Sequence, residues 1–118
     1  MKIKVKSTNE LSRVYAKHIG KESANIFGVN LDIILPQGAL GVYKFESNFE
    51  LEKNEVLMLR PMQGGALTGA KFDIVPVVGT DDEWLLFVYG SNTRQICIKA
   101  ETPLFMLVVL QTSKAKIE

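Results

Sequence analysis

Asp81, Asp82 and Glu83 are consecutive carboxylates, the densest collection of hard oxygen donors in the chain. A divalent cation needs donors that converge, and three adjacent acids on a turning backbone point in different directions. With no histidine or further acid close by, the run reads as a solvated hairpin tip, and no metal is expected there. His18 is the single histidine and Cys97 the single cysteine. A Ser/His/Asp triad would need His18 beside an activated serine, and no Gly-x-Ser-x-Gly or comparable nucleophile context occurs. One cysteine excludes an intrachain disulfide and a cysteine-built zinc site. Cys97, flanked by Ile96 and Ile98, is either an inert core thiol or a modest surface one. Gly64-Gly65 and Gly69 suggest a phosphate cradle of backbone amides. That run contains no lysine or arginine and is expected to lack a following helix, so it reads as a tightly turned loop. Trp84, Phe87 and Tyr89 offer faces for base stacking, but their neighbours are acidic or apolar where a nucleic-acid site interleaves cations. Core and interface packing is the reading they support, and nucleic acid is not an expected partner.

The elements that must position these groups are mostly strands. A chain of 118 residues fits one domain, 1–118, and nearly half its residues are apolar, enough for a packed interior. A formal charge of +1 gives no pull toward nucleic acid or anionic membrane. Lys2, Lys4 and Lys6 alternate with Ile3 and Val5, which is the pattern of a strand and lacks the apolar segment of a signal peptide. No apolar run approaches the roughly 20 residues that cross a bilayer. An intracellular or virion-associated protein is expected. Period-two patterning broken by Gly, Pro, Asn and Asp predicts strands at Ile3–Val5, Leu31–Leu35, Ala39–Phe45, Glu55–Arg60, Ala70–Val78, Trp84–Tyr89, Gln95–Lys99 and Leu104–Leu110. Pro36-Gln37-Gly38 and Gly90-Ser91-Asn92 are turns, and residues 78–84 form a hairpin tip. Asn9–Lys17, with Leu11, Val14 and Tyr15 on one side, is the one helical stripe. Leu104–Leu110 is apolar on both faces, so both should be covered, either within the monomer's own sandwich or by another subunit.

A resemblance runs through the chain in order. Gly20-Lys21-Glu22-Ser23-Ala24 with Phe27-Gly28-Val29-Asn30-Leu31 is similar to a G-S-A-G-Y-D-L segment. Leu51-Glu52-Lys53-Asn54-Glu55 leads to Leu59-Arg60-Pro61-Met62-Gln63-Gly64-Gly65-Ala66-Leu67, which resembles V-R-P-R-S-G-L-A-L. Val75-Pro76-Val77-Val78-Gly79-Thr80-Asp81-Asp82 resembles A-G-V-I-D-P-G-Y, and Ser91-Asn92 matches a strand-closing S-N. Ile96-Cys97-Ile98 through Leu107-Val108-Val109 resembles the V-K-L…G-x-R-I-A-Q-L-V-F ending, with Glu101 where glycine is usual. These are motifs of the trimeric dUTPase and dCTP deaminase superfamily, and the chain resembles a degenerate member of it. The resemblance implies an all-β, distorted jelly-roll or β-barrel fold and a homotrimer with sites at its subunit interfaces.

The resemblance also identifies what is replaced. Asn30 stands at the metal-linked Asp, Met62 and Gln63 at the phosphate-binding Arg and Ser, Gly79 at the general base, and Asp82 at the aromatic residue. A glycine cannot take a proton from water, a thioether cannot neutralise a phosphate, and an amide brings no charge to a hard cation. Residues 112–118 carry no glycine-rich lid. Asp81 as a relocated base and Glu83 as a displaced deaminase glutamate are less favoured than solvated turn acids. Asn30, Met62, Gln63, Gly64, Val78, Gly79, Asp81 and Asp82 therefore mark a vestigial nucleotide pocket, with no catalytic residue, metal or cofactor expected. The function expected is a non-catalytic trimeric module, structural or protein-binding. Relatives carried by phages suggest a virion accessory, decoration or regulatory protein. The alternative is a dUTP pyrophosphatase-related protein that still binds, or hydrolyses, a deoxypyrimidine nucleotide through main-chain groups near Val77 and Val78. A lone, monomeric β-sandwich is the third possibility.

Overall fold

Leu86 and Val88 are fully buried, while Leu85, Phe87 and Tyr89, alternating with them on the same strand, retain solvent exposure. Side chains of a strand point to opposite faces in turn, so this alternation assigns one face to the core. The computed structural model describes residues 1–5, 13–20 and 25–112. Its elements are β1 (Lys2–Val5), β2 (Ala16–Ile19), β3 (Ile26–Val29), β4 (Ile33–Leu35), β5 (Leu40–Lys44) and β6 (Ser47–Glu50). They are followed by β7 (Glu55–Pro61), α1 (Gln63–Thr68), β8 (Lys71–Pro76), β9 (Trp84–Tyr89), β10 (Ile96–Ile98) and β11 (Phe105–Gln111).

Four strands form one sheet in the order β2-β3-β11-β7, and three form another in the order β5-β9-β8. The two-stranded pairs β1-β6 and β4-β10 complete the fold, and all the strand pairs are antiparallel. Phe105 sits opposite Phe27 on one side and Pro61 on the other, so β11 joins the two halves of its sheet. The inward faces of both large sheets meet in one core that includes Phe27, Phe45, Phe49, Phe105, Leu86 and Val88. Phe27 is its hub: Phe45 and Phe49 meet it edge-on at 5.4 and 5.5 Å, and Phe105 stacks on it at 5.8 Å. Such pairs add roughly 0.5–1.5 kcal/mol beyond their area.

The all-β architecture agrees with the period-two reading, and each of the eight expected strands overlaps an observed one. Three further strands escaped it: β2, β3 and β6. The helix expected over Asn9–Lys17 is corrected. Residues 9–12 lie outside the described ones, Arg13 and Val14 bend, and Ala16 and Lys17 belong to β2, paired with Val29 and Gly28. Adjacent pairing with β3 outweighs a stripe too short to hold a helix by itself. The expectation that no helix follows Gly64-Gly65 is corrected too, because both glycines lie inside α1.

Leu104–Leu110 has one covered face and one open face. Leu104, Phe105 and Leu107 are buried in the core. On the opposite side Met106 and Val108 are half-buried, and Leu110 is exposed beside Val56 and Met58 of β7. Among the described residues nothing covers that second face completely. A second open apolar face lies on the other sheet, where Leu40, Val42 and Tyr89 are exposed around the half-buried Phe87.

Candidate functional site

The acidic tip is a tight turn between β8 and β9. Val77 donates its N–H to the Glu83 carbonyl at 2.9 Å, closing the hairpin. Thr80 returns both its N–H (3.2 Å) and its hydroxyl (2.9 Å) to the Val77 carbonyl. Gly79, third in that turn, has φ +87°, and a Cβ there would meet nothing within 4 Å. Backbone conformation, and not crowding, makes this position suit glycine. Val78 precedes it at the apex and is 99% exposed. Phe49 donates its N–H to the Asp82 carbonyl at 3.1 Å, hooking the tip to β6. Asp81 and Asp82 line an open cleft with Lys4, Glu50 and Thr80. Among the described residues no group of three His, Cys, Asp or Glu side chains is placed to share a cation.

Met62, Gln63 and Gly64 sit together where β7 passes into α1. Met62 is the helix N-cap and makes no side-chain capping bond, while its N–H reaches the Leu104 carbonyl at 3.0 Å. Gly64 and Gly65 let α1 lie directly on the backbone of 103–104: added Cβ atoms would come within 2.4 Å of the Pro103 oxygen and 2.1 Å of the Leu104 oxygen. The glycine pair is therefore explained by close packing, which does not require a phosphate. Gly69 ends the helix at φ +79°, and the Arg94 guanidinium donates to the Thr68 carbonyl at 3.3 Å. A cation at a helix C-terminus, bonded to one of its free carbonyls, is favourable placement.

Asn30 lies at the end of β3 with both ends of its amide engaged. Its Oδ1 accepts the Tyr15 N–H at 2.8 Å and its Nδ2 donates to the Arg13 carbonyl at 2.9 Å. That pair of bonds needs one acceptor and one donor, which an amide supplies and a carboxylate does not. Asn30→Asp, the change toward a metal-linked carboxylate, is accordingly expected to destabilise the chain by roughly 1–3 kcal/mol, because it sets an anion against a carbonyl oxygen. Urea unfolding of the two proteins checks it, and equal midpoints would dismiss this structural account of Asn30.

The candidate residues thus fall into three places. Val78, Gly79, Asp81 and Asp82 share the tip, Met62, Gln63 and Gly64 share the start of α1, and Asn30 is tied to 13–15. Tip and helix stand at opposite ends of β8, whose six residues span roughly 20 Å. A groove of about 730 Å³ opens beside α1, lined by Pro61, Gly65, Ala66, Ala70, Phe72 and Tyr89 with Lys71 and Asp73. Sequence reading missed this groove, since its residues are scattered over four elements, β7, α1, β8 and β9, and only folding brings them together.

Several carboxyl groups are held below their ordinary range by identifiable partners. Asp32 accepts the Ala100 N–H at 2.7 Å, with Lys99 nearby, and Glu55 accepts the Glu52 N–H at 2.6 Å. Glu101 is lowered by its hydrogen bond to Lys17 and by that lysine's charge, and Lys17 is raised in turn. Glu101 also has φ +60°, a conformation that glycine adopts freely, so the glycine expected at this position by resemblance fits the backbone found.

No protein-family model matches the chain, and no curated protein does. Among solved structures, EIAV dUTPase in its native form superposes with a TM-score of 0.62 at 14% identity, covering 99% of this chain and 97% of that one. Identity this low speaks for architecture alone. The chain has a dUTPase-like, all-β fold.

Proposed function

We propose that the protein is a non-catalytic homotrimer that uses the dUTPase-like fold as a structural or protein-binding module. The side chains at the aligned positions carry this reading: Gly79 occupies a turn that suits glycine, and Met62 and Gln63 bring no charge to the start of α1. No base stands at the first place and no cation at the second, so a triphosphate would meet neither neutralisation nor an activated water. Two different open apolar faces, around Met58 and Leu110 on one sheet and around Leu40 and Val42 on the other, support heterologous association. Unlike patches that meet head to tail close into a ring when the rotation allows. A phage virion accessory or decoration protein, or a regulator of another protein, are the forms this function takes.

Calorimetric titration of dUTP with Mg²⁺, and then of dCTP, is expected to give no saturable heat. Light scattering is expected to give the mass of three chains. Saturable heat with either nucleotide would replace this proposal with a nucleotide-handling one, and a monomer would remove the trimer. Restoring the three groups together as Met62→Arg, Gln63→Ser and Gly79→Asp asks whether a pocket persists. Nucleotide affinity gained by that variant would mean an open cleft that has merely lost its chemistry.

A further inference from the structure

We infer that an extended segment of a different protein adds to the free edge of β5, as a further strand of the β5-β9-β8 sheet. This inference rests on the protein-binding form of the reading above and specifies the surface used and the shape of the partner. Gly90 donates its N–H to the Ala39 carbonyl at 2.9 Å. Bonding alternates along an antiparallel pair, so Gly41 and Tyr43 bond toward β9, while Leu40 and Val42 turn N–H and C=O away from it. Among the described residues, no hydrogen bond outside that ladder engages the main chain of Leu40 or Val42. A row of unpaired main-chain groups is a template for another strand.

The other edges of the two large sheets are blunted by identifiable groups. On β8 the same alternation turns Phe72, Ile74 and Pro76 outward. The Asp73 carboxylate caps the Ile74 N–H at 2.9 Å, and Pro76 has no N–H to offer. On β2, Glu46 takes the outward groups: its N–H meets the Ala16 carbonyl at 2.9 Å, and its carboxylate accepts the His18 N–H at 3.2 Å. On β7 the outward residues are Leu57, Leu59 and Pro61, of which Leu57 is buried and Pro61 lacks the donor. β5 has neither a proline nor a capping side chain at Leu40 or Val42, which are 53% and 48% exposed. Lys44, exposed at the other end, is the one charged residue of the strand. The incoming segment therefore sets apolar residues beside Leu40 and Val42 and a carboxylate beside Lys44. Packing between copies on the adjoining face uses side chains, whereas the edge offers main chain in the plane of the sheet, so the two surfaces are distinct. Two copies meeting edge to edge would pair about a two-fold axis and give even numbers of chains, where the reading above calls for three.

The experiment uses the full chain, and the probe is a displayed library of random linear octapeptides. Selected sequences are expected to alternate apolar residues and to carry Asp or Glu toward one end. Synthetic copies of the best peptide, methylated at one or the other alternate set of amide nitrogens, are then titrated. One set should abolish binding and the other spare it, as a strand bonded along a single edge requires. Val42→Pro removes an N–H that plays no part in the ladder to β9, so far-UV circular dichroism should be unchanged while peptide affinity falls roughly ten-fold or more. Val42→Thr keeps the N–H and should retain most of the affinity. A library that yields no binder, or peptides indifferent to which set is methylated, overturns the inference whether or not Val42→Pro folds. Either result leaves the nucleotide titrations and the mass of the wild-type chain, which test the broader reading, standing. A mass by light scattering that drops with Val42→Pro gives the edge to another copy of the chain and overturns the foreign partner.

Discussion

Gly65→Val is expected to destabilise the protein by about 3 kcal/mol or more, at the upper end of what overpacking a tight interior costs. The cause is a single approach. An ideal Cβ at Gly65 falls 2.1 Å from the Leu104 carbonyl oxygen and 3.2 Å from the Phe72 ring. The first neighbour is backbone, and it sits at the entrance to β11, so it cannot yield without moving the central strand of the larger sheet. Alanine at the same position already places the offending atom. Its better helix propensity, worth roughly 1 kcal/mol over glycine, offsets only part of the clash. Leu67→Ala on the same helix is the control, because Leu67 is 76% exposed and its truncation should change little. Urea unfolding should show the midpoint falling by about 1–2 M for Gly65→Val, with a slope typical of small domains. A midpoint shared by Gly65→Val and Leu67→Ala would refute the close packing of α1 on residues 103–104.

Phe27→Ala is expected to cost about 3–5 kcal/mol, the range found when a buried aromatic is truncated. Against a total stability of roughly 5–15 kcal/mol for a domain, that leaves a chain close to unfolding at ordinary temperature. Phe27 is fully buried, and it touches rings from four directions: His18, Phe45, Phe49 and Phe105. Removing it opens a void between the two large sheets that the surrounding strands, pinned by their ladders, cannot close. Phe27→Leu keeps much of the volume and loses the ring contacts, so it should lie between the wild type and the alanine variant. Thermal unfolding followed by circular dichroism checks the order. Alanine and leucine variants of equal stability would mean that Phe27 is not the hub of the core.

What was legible beforehand followed from side-chain alternation. β9 announces itself through Trp84–Tyr89, and β11 through Leu104–Leu110, because both strands bury an uninterrupted apolar face. β2 did not, since Ala16-Lys17-His18-Ile19 shows no clean alternation and lies at the edge of its sheet, held by pairing to β3. β3 was obscured by Gly28, which weakens any strand signal. Its reason is tertiary: a Cβ there would meet the Thr102 carbonyl at 2.3 Å. β6 carries Ser47 and Asn48, poor strand formers that β1 holds in register opposite Val5 and Lys4. α1 ran against propensity for the same kind of reason, its two glycines being required by the neighbour and not by the helix. For the candidate site, the replaced groups were visible as letters. Two further facts emerged only from geometry: Asn30 is occupied by Arg13 and Tyr15, and the exposed apex and the open groove lie at opposite ends of β8.

The place of β11 in its sheet has a consequence for how the chain acquires its fold. β3 and β7 never pair with each other, and each waits for the strand that separates them. The ladder that brings residue 105 beside residue 27 closes a loop spanning most of the chain, and non-local closures of this kind slow folding. During synthesis both strands emerge well before their shared neighbour does. The sheet is thus completed from its middle, by the last strand described, and a ribosome-bound chain lacking β11 would present two unpaired edges at once.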